Sequence, residues 1–372
     1  EAEETGVSLQ APIKVQKLQQ ALHAKAKESP ECRFYALYDK IYREDILRHA
    51  YRLAKAKGGG AGVDGITFKM IEKEGVEEWL SGIRKELRAK TYKPQPVRRV
   101  MIPKPGGGQR PLGIPTIRDR VIQTAAKLVI EPIFEADLEP NVYGYRPKRG
   151  ALNAIREVHE LLCQGYTDVV DADLSKYFDT IPHKDLMQCV ARRIVDRNVL
   201  RLIKLWLKAP VQEQDRNGQG KITGGRKNKL GTPQGGVVSP LMANLYMNRF
   251  LKHWRISECS EAFRVRVVSY ADDFVILSQG QARQSLQWTQ DVMGKLGLRL
   301  NEDKTVVRDA RKEHFDFLGY TFGSVYFKKT GKPYMAASPS KKSIGRLKQK
   351  IGGILKPGEK GAWPDVCTRL NA

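Results

Sequence analysis

Two adjacent carboxylates, Asp272 and Asp273, stand between two runs of strand-forming residues, Val265-Arg266-Val267-Val268 and Val275-Ile276-Leu277. The pattern predicts two strands around one tight turn over residues 264–280, with both acids at its tip. Like charges this close raise each other's pKa unless a cation holds them. A second acidic run, Val169-Val170-Asp171-Ala172-Asp173-Leu174, lies upstream. Alternate side chains on a strand share a face, so Asp171 and Asp173 point one way and Val170, Ala172 and Leu174 the other. A strand ending in acids beside an acid-tipped hairpin frames a site for two hard cations. Mg²⁺ is typically bound by few carboxylates plus substrate phosphates. Paired ions about 3.5–4 Å apart can activate an attacking hydroxyl and stabilise a leaving oxygen. A solvated turn would account for an isolated Asp-Asp pair. The flanking apolar strands and the preceding Tyr270 argue against it here.

Charge narrows the partner class. Lys and Arg exceed Asp and Glu by 24 in 372 residues. Such an excess opposes compactness unless a polyanion balances it, which puts nucleic acid first. An anionic membrane surface comes second, without a lipidation signal or hydrophobic anchor to support it. No apolar run reaches the roughly 18 residues needed to cross a bilayer. The opening residues are acidic and polar, unlike a secretory signal, and the absence of an initial Met suggests a trimmed or renumbered terminus. The 41% hydrophobic content excludes wholesale disorder, and the length suggests about two to three domains. Five scattered cysteines without a Cys-x-x-Cys pair indicate neither a zinc site nor a disulfide framework, and read as free thiols in a reducing cytoplasm.

Periodicity predicts helices over residues 14–27, 33–57, 74–89, 117–135, 150–164, 184–208, 240–254 and 282–296. Strands are expected at 97–102, as a second short strand joined to it by the Gly-rich turn within 103–115, at 168–174, in the 264–280 hairpin and as a pair within 315–327. Residues 212–229 are polar, Gly-rich and basic, and read as an exposed loop. This mixture is α+β. Residues 323–372 hold eleven Lys or Arg against two acids. They read as a solvated basic face or, given the overall charge, as a phosphate-contact surface.

The motifs resemble a known family. Tyr270-Ala271-Asp272-Asp273, with Asp173 upstream, looks like the catalytic core of reverse transcriptases, and more specifically of bacterial group II intron reverse transcriptases, which also serve as maturases. Supporting blocks follow in order: Ile102-Pro103-Lys104-Pro105 through Arg110-Pro111-Leu112-Gly113-Ile114-Pro115, then Tyr143-Gly144-Tyr145-Arg146-Pro147. Gly231-Thr232-Pro233-Gln234-Gly235-Gly236 and Phe315-Asp316-Phe317-Leu318-Gly319-Tyr320 complete the set. The resemblance covers residues 35–334.

The resemblance implies a right-hand polymerase. It divides the chain into a mostly helical, RNA-binding N-terminal extension (1–96), fingers (97–165), a palm with the catalytic acids and inserted parts of the fingers (166–335), and the start of a basic helical thumb (336–372). It implies that Asp173, Asp272 and Asp273 are catalytic and bind two Mg²⁺ ions, replaceable by Mn²⁺, with the Leu174 carbonyl assisting. Asp171 is the alternative to Asp173. The family places an aromatic five residues after its catalytic Asp, and only Asp173 gives Phe178 that spacing. Phe178 would exclude a 2′-hydroxyl and so favour dNTPs. Lys104 and Arg110 would close over the triphosphate as point charge and fork. Gln234 would lie beside the nascent base pair, and Lys304 near the leaving pyrophosphate, in reach of a general-acid role. Arg146 and Lys148 would touch template phosphates. Tyr270, Gly319 and Tyr320 would contact nucleic acid, the last two supporting the primer end. Asp179 reads as structural.

The activity so implied is RNA-directed DNA polymerisation by two-metal nucleotidyl transfer, serving a group II intron with maturase and retrohoming roles. Its partners are an RNA template, intron RNA above all, a DNA or RNA primer, and dNTPs. No membrane is involved, the location is the bacterial cytoplasm, and no oligomeric state is implied. Two other functions fit the sequence: a domesticated enzyme of phage defence or CRISPR spacer acquisition, and an RNA-binding splicing cofactor without polymerase activity. The acids and Phe178 argue against the last, because a pure binder has no need of them. The family's thumb is a helical bundle, whereas one or two such helices fit here, and no endonuclease pattern is visible, so either a truncated chain or a disordered remainder outside this sequence is expected.

Overall fold

Apolar residues spaced three and four apart make the N-terminal part of the chain helical. In the computed structural model, residues 9–103, 108–214, 220–225, 227–257, 262, 264–356 and 361–371 are described. The chain begins with α1 (Ile13–Glu28), α2 (Tyr38–Ile41), α3 (Glu44–Lys57), α4 (Phe68–Glu74) and α5 (Val76–Arg88). The helix expected over 33–57 starts late, because Phe34 is extended and bridges to Ile194. Strands β1 (Val97–Pro103) and β2 (Gln109–Ile114) pair antiparallel. Next come α6 (Ile117–Glu135), α7 (Ala151–Cys163), β3 (Asp168–Asp173), α8 (Tyr177–Thr180), α9 (His183–Ala191) and α10 (Arg197–Leu207). The single helix expected over 184–208 is therefore two.

The loop expected over 212–229 is a hairpin in part. Strands β4 (Pro210–Gln214) and β5 (Gly220–Gly224) pair there, and β4 runs parallel to β1, giving the order β2-β1-β4-β5. The chain continues through α11 (Ser239–Ile256), β6 (Val265–Tyr270), β7 (Asp273–Ser278), α12 (Ala282–Lys295) and β8 (Val306–Asp309). It ends with β9 (Phe315–Phe317), β10 (Tyr320–Tyr326), β11 (Pro333–Pro339), α13 (Lys341–Ile354) and α14 (Trp363–Asn371). Strands β8 and β11 have no counterpart in the sequence reading.

Contacts divide the chain into two compact units. The first holds residues 1–145, 175–252 and 294–298; the second holds 146–174, 253–293 and 299–372. Helix α6 is the spine of the first, with Val121, Ile122, Ala125, Val129, Ile130 and Phe134 buried. It contains Pro132, whose missing N–H leaves the Leu128 carbonyl without its helical donor. Gln19 of α1 supplies one, Nε2 donating to Leu128 O at 3.1 Å. In the same unit the buried Arg193 donates to the carbonyls of Ser29 (3.0 Å) and Cys32 (3.1 Å) beyond the end of α1. The second unit is built on the sheet β6-β7-β3-β8, with α7 packed on β6 and β7, and on a second sheet, β11-β10-β9. No helix among the described residues is long and apolar enough to cross a membrane.

The break between α9 and α10 has a use. Asp196 caps α10, its Oδ1 accepting from the Asn198 and Val199 amides at 2.9 and 3.3 Å. Its Oδ2 accepts from the Leu37 and Tyr38 amides at 2.9 and 2.8 Å, where α2 begins. One buried carboxylate thus satisfies four backbone donors at two helix starts. Asp196→Ala should lower the unfolding free energy by about 3 kcal/mol in urea titration. Asp196→Asn, which keeps one acceptor oxygen and turns an NH2 donor toward the other two amides, should lose at least half of that. An unchanged midpoint for the alanine variant would contradict this account.

Candidate active site

Strand register brings the two acidic runs together in the second unit. Strand β3 pairs antiparallel with β7, setting Asp173 opposite Asp273 and Asp171 opposite Val275. Directly opposed Cα atoms in such a pair are about 4.5–5.5 Å apart. Tyr270 pairs with Asp273, which leaves Ala271 and Asp272 as a two-residue turn. Ala271 has a φ of +60° and is buried. Glycine is the usual residue at such a position, and alanine there costs on the order of 1 kcal/mol. The expected hairpin is therefore present, with its strain in the residue before Asp272. The register also separates the two upstream acids: Asp173 is level with the turn, and Asp171 is set back along the strand.

Electrostatics follow this placement. Burial pushes the Asp171 carboxyl up to about 6; Arg308 counters the rise, and Asp173 and Asp316 add to it. Asp273 keeps an open edge to solvent. Even so, the protein crowded around it strips water from its carboxyl, and with Asp272, Asp173 and Asp171 nearby its pKa reaches about 6. Lys304 Nζ donates to Asp173 Oδ2 at 2.7 Å. That hydrogen bond raises the lysine pKa, so it stays an ammonium. Asn301, which the sequence reading did not single out, holds Asp173 twice. Its amide N–H donates to the Asp173 carbonyl at 2.8 Å, and its Nδ2 to Oδ2 at 3.3 Å. Its place three residues before Lys304 was the available signal. Leu174 is buried and bridges to Leu300.

The donors suit a hard divalent cation. They are carboxylate oxygens, crowded enough that Asp273 keeps its proton to about pH 6, and a cation would relieve that excess of negative charge. Among the described residues, however, no three His, Cys, Asp or Glu side chains converge as the ligands of one ion. The cation that Asp173 holds here is the ammonium of Lys304.

A second set of expected residues comes together in the first unit. The Gly113 N–H of β2 donates to Gln234 O at 2.6 Å. Gly235 has a φ of +103°, and a Cβ there would stand 2.3 Å from the Gly113 carbonyl oxygen, so glycine is required. On the other side of the same segment, the Thr232 N–H donates to Phe178 O at 2.7 Å, and the Gly231 N–H to Ile181 O at 2.8 Å. Gln234 Nε2 donates to Asp179 Oδ2 at 3.3 Å, which gives Asp179 an orienting contact. Phe178 is half-buried, edge-on to Tyr177 at 5.8 Å, and the Tyr177 hydroxyl donates to Ala243 O at 2.6 Å. Arg110 is exposed on β2, opposite Ile102. Lys104 lies outside the described residues.

The remaining expected residues lie elsewhere. Arg146 is 8% exposed and bonded within the protein, whereas Lys148 is on the surface. Leu318 and Gly319, with φ of +50° and +81°, turn β9 into β10, where Phe317 pairs with the half-buried Tyr320. The Gly319 carbonyl accepts from the Ser340 amide at 2.9 Å and from Ser343 Oγ at 2.8 Å, fixing the turn to the start of α13.

The chain is 34% identical over 345 residues to Protein YkfC of Escherichia coli (strain K12), covering 82% of this chain and 87% of that protein. It is 28% identical over 350 residues to the group II intron-encoded protein LtrA of Lactococcus lactis subsp. cremoris. That match covers 77% of this chain and 56% of LtrA, so the chain spans little more than half of that relative's length. A chain of the solved Partial Cas6-RT-Cas1--Cas2 complex is similar at 21% identity and a TM-score of 0.42, covering 69% of this chain and 42% of that one. Residues 102–322, which include both paired acidic strands and the Gln234 turn, match the model of one family, and by that match and the YkfC identity the chain belongs to the reverse transcriptases (RNA-dependent DNA polymerases).

Proposed function

We propose that the chain extends a primer on an RNA template with dNTPs, and that Asp173, Asp272 and Asp273 carry the reaction. In the reaction the primer 3′-oxygen bonds to the α-phosphorus of the dNTP and pyrophosphate leaves. The observation that carries the reading is the opposition of Asp173 and Asp273 across β3 and β7, with Asp272 on the turn beside them. These three acids would hold Mg²⁺, aided by the Leu174 carbonyl, and the bound ions would supply charge neutralisation at the phosphates and activation of the hydroxyl. Asn301 orients the Asp173 carboxylate and Lys304 balances its charge, a balance that a bound divalent cation would supply instead. Lys304, freed from Asp173, is the proposed partner of the leaving pyrophosphate. Phe178 is the proposed barrier to a ribose 2′-hydroxyl, and Gln234, oriented by Asp179, the proposed contact beside the new base pair. Arg110 and Lys104 are assigned to the triphosphate, and Lys148, Arg146, Tyr270, Gly319 and Tyr320 to the strands. Residues 97–165, 166–335 and 336–372 are read as fingers, palm and start of thumb, with residues 1–96 as an RNA-binding extension.

The likeness to the group II intron-encoded protein LtrA supports service to a group II intron, for which we propose help with splicing. That activity would use intron RNA as ligand and template, and the excess of 24 positive charges supports a polyanionic partner.

Three outcomes test the reading. Asp272→Asn should cut dNTP incorporation on a poly(rA)/oligo(dT) duplex by about 10³-fold while RNA affinity stays within about twofold; full incorporation would end the proposal. Phe178→Ala should raise ribonucleotide use, as the ratio of kcat/KM for rNTP and dNTP, by about tenfold. An unchanged ratio would remove its role. The third outcome concerns protons. The carboxyls of Asp171 and Asp273 are raised, so the metal-free fold binds those protons more tightly than the unfolded chain does. That contribution to stability is complete below about pH 4 and is lost as pH passes 6. A cation needs the ionised form, so Mg²⁺ binding at pH 6 should release protons, seen calorimetrically as a dependence on buffer ionisation enthalpy. The release should vanish at pH 8, and equal release at both would refute the placement of the ion at Asp273.

A further inference from the structure

The tip of the β10–β11 hairpin has no part in the site described above. All nine residues from Tyr326 to Tyr334 are exposed. Three are aromatic: Tyr326 is 72% exposed, Phe327 49% and Tyr334 50%. Three are lysines, Lys328, Lys329 and Lys332, and the sequence has no acid from Phe317 to Gly358. Large aromatic side chains clustered on a surface mark a binding site more often than chance.

The hairpin is built to hold these rings in place. The Phe327 amide donates to Lys332 O at 2.9 Å, and the Gly331 amide donates back to Phe327 O at 2.8 Å. Gly331 turns the chain with a φ of +67°. Register places Tyr326 opposite Pro333, and Val325 opposite Tyr334. Side chains alternate, so Phe327, Lys332 and Tyr334 share one face and Tyr326 stands on the other. Phe327 and Tyr334 meet edge to face at 6.5 Å and 71°. The base of the hairpin is fixed, with the Ser324 amide donating to Ala310 O at 3.0 Å and His159 of α7 bonded to the Met335 carbonyl at 3.1 Å. The seven residues of β10 set this tip about 20 Å from the Leu318-Gly319 turn at the strand's other end.

We propose that this tip binds unpaired RNA, its rings stacking on bases and its lysines taking the adjoining phosphates. Aromatic platforms beside cations are the general means of holding a single strand without reading its sequence. A protein partner would be met by apolar surface without this one-sided charge; a polyanion is met by three lysines and no acid. The choice of RNA rests on the polymerase reading: the template is the strand that is unpaired outside the site, whereas new DNA is held in a hybrid.

The test is the affinity of a fluorescent U₂₀ RNA, measured by anisotropy across a salt series, with an RNA–DNA hybrid as the paired control. Tyr326→Ala/Phe327→Ala/Tyr334→Ala should weaken U₂₀ binding at least about tenfold and leave hybrid binding and the salt slope unchanged. Tyr326→Phe/Tyr334→Phe, which keeps the rings, should bind as the parent does, and the retained hybrid binding of the alanine variant excludes a folding defect in it. Lys328→Ala/Lys329→Ala/Lys332→Ala should lower the salt slope by about 2. Unchanged U₂₀ affinity in the alanine ring variant would overturn the proposal, as would an equal loss on the hybrid. A change in sedimentation with RNA affinity intact would also overturn it, by assigning the tip to a second copy of the chain. Primer extension by the parent protein is scored separately. Its absence would count against the polymerase reading and not against the hairpin.

Discussion

The pairing of β3 with β7 is the constraint on which the second unit depends. Side chains alternate along a strand, so a slip of one residue would turn Asp173 to the face held by Val170 and Ala172. Both of those are buried, as are Ile276 and Phe274 opposite them on the partner strand. Burying them is worth roughly 25 cal/mol for each Å² of apolar surface removed from water. The hydrophobic core therefore decides where the charges go. Carboxylates that repel one another are held at one level of the sheet because the residues behind them have no other way to stay dry.

The parts of both sites held in place rely mostly on backbone hydrogen bonds. Asp173 is fixed through its carbonyl by the Asn301 amide, and the Gln234 turn by the Gly113, Thr232 and Gly231 amides. The ion pairs of the N-terminal helices, such as Arg48 with Glu77, are largely exposed. Exposed pairs contribute little and weaken with salt. An enzyme that works against a polyanion meets large changes in local ion concentration. Geometry set by amide and carbonyl groups is insensitive to them.

Much of this was legible in the sequence because period and burial coincide. The acid-tipped hairpin and the strand before it appear where alternation placed them. Periodicity does not distinguish Asp171 from Asp173, since both share a face; the register separates them, with Val275 opposite Asp171 and Asp273 opposite Asp173. The β4–β5 hairpin was read as a loop because its residues are polar, basic and Gly-rich, and its pairing comes from β1, more than a hundred residues away. The split of residues 184–208 depends on Asp196, which looks like an ordinary helical position until its four distant and local amide donors are seen. Strand β11 was missed because its exposed, Lys-flanked start carries no apolar alternation. Asn301 was passed over because a polar residue in a turn has no periodicity to betray it.

Pro132 gives the N-terminal helix a standing that its modest apolar stripe conceals. Proline near the end of α6 opens a gap in the ladder of a deeply set helix of the first unit, and the amide of Gln19 closes it from more than a hundred residues upstream. The first helix is thus a splint on the spine. Proteolytic trimming up to residue 28 would take that donor away from the Leu128 carbonyl. The damage would be felt at Leu128, far along the chain from the cut.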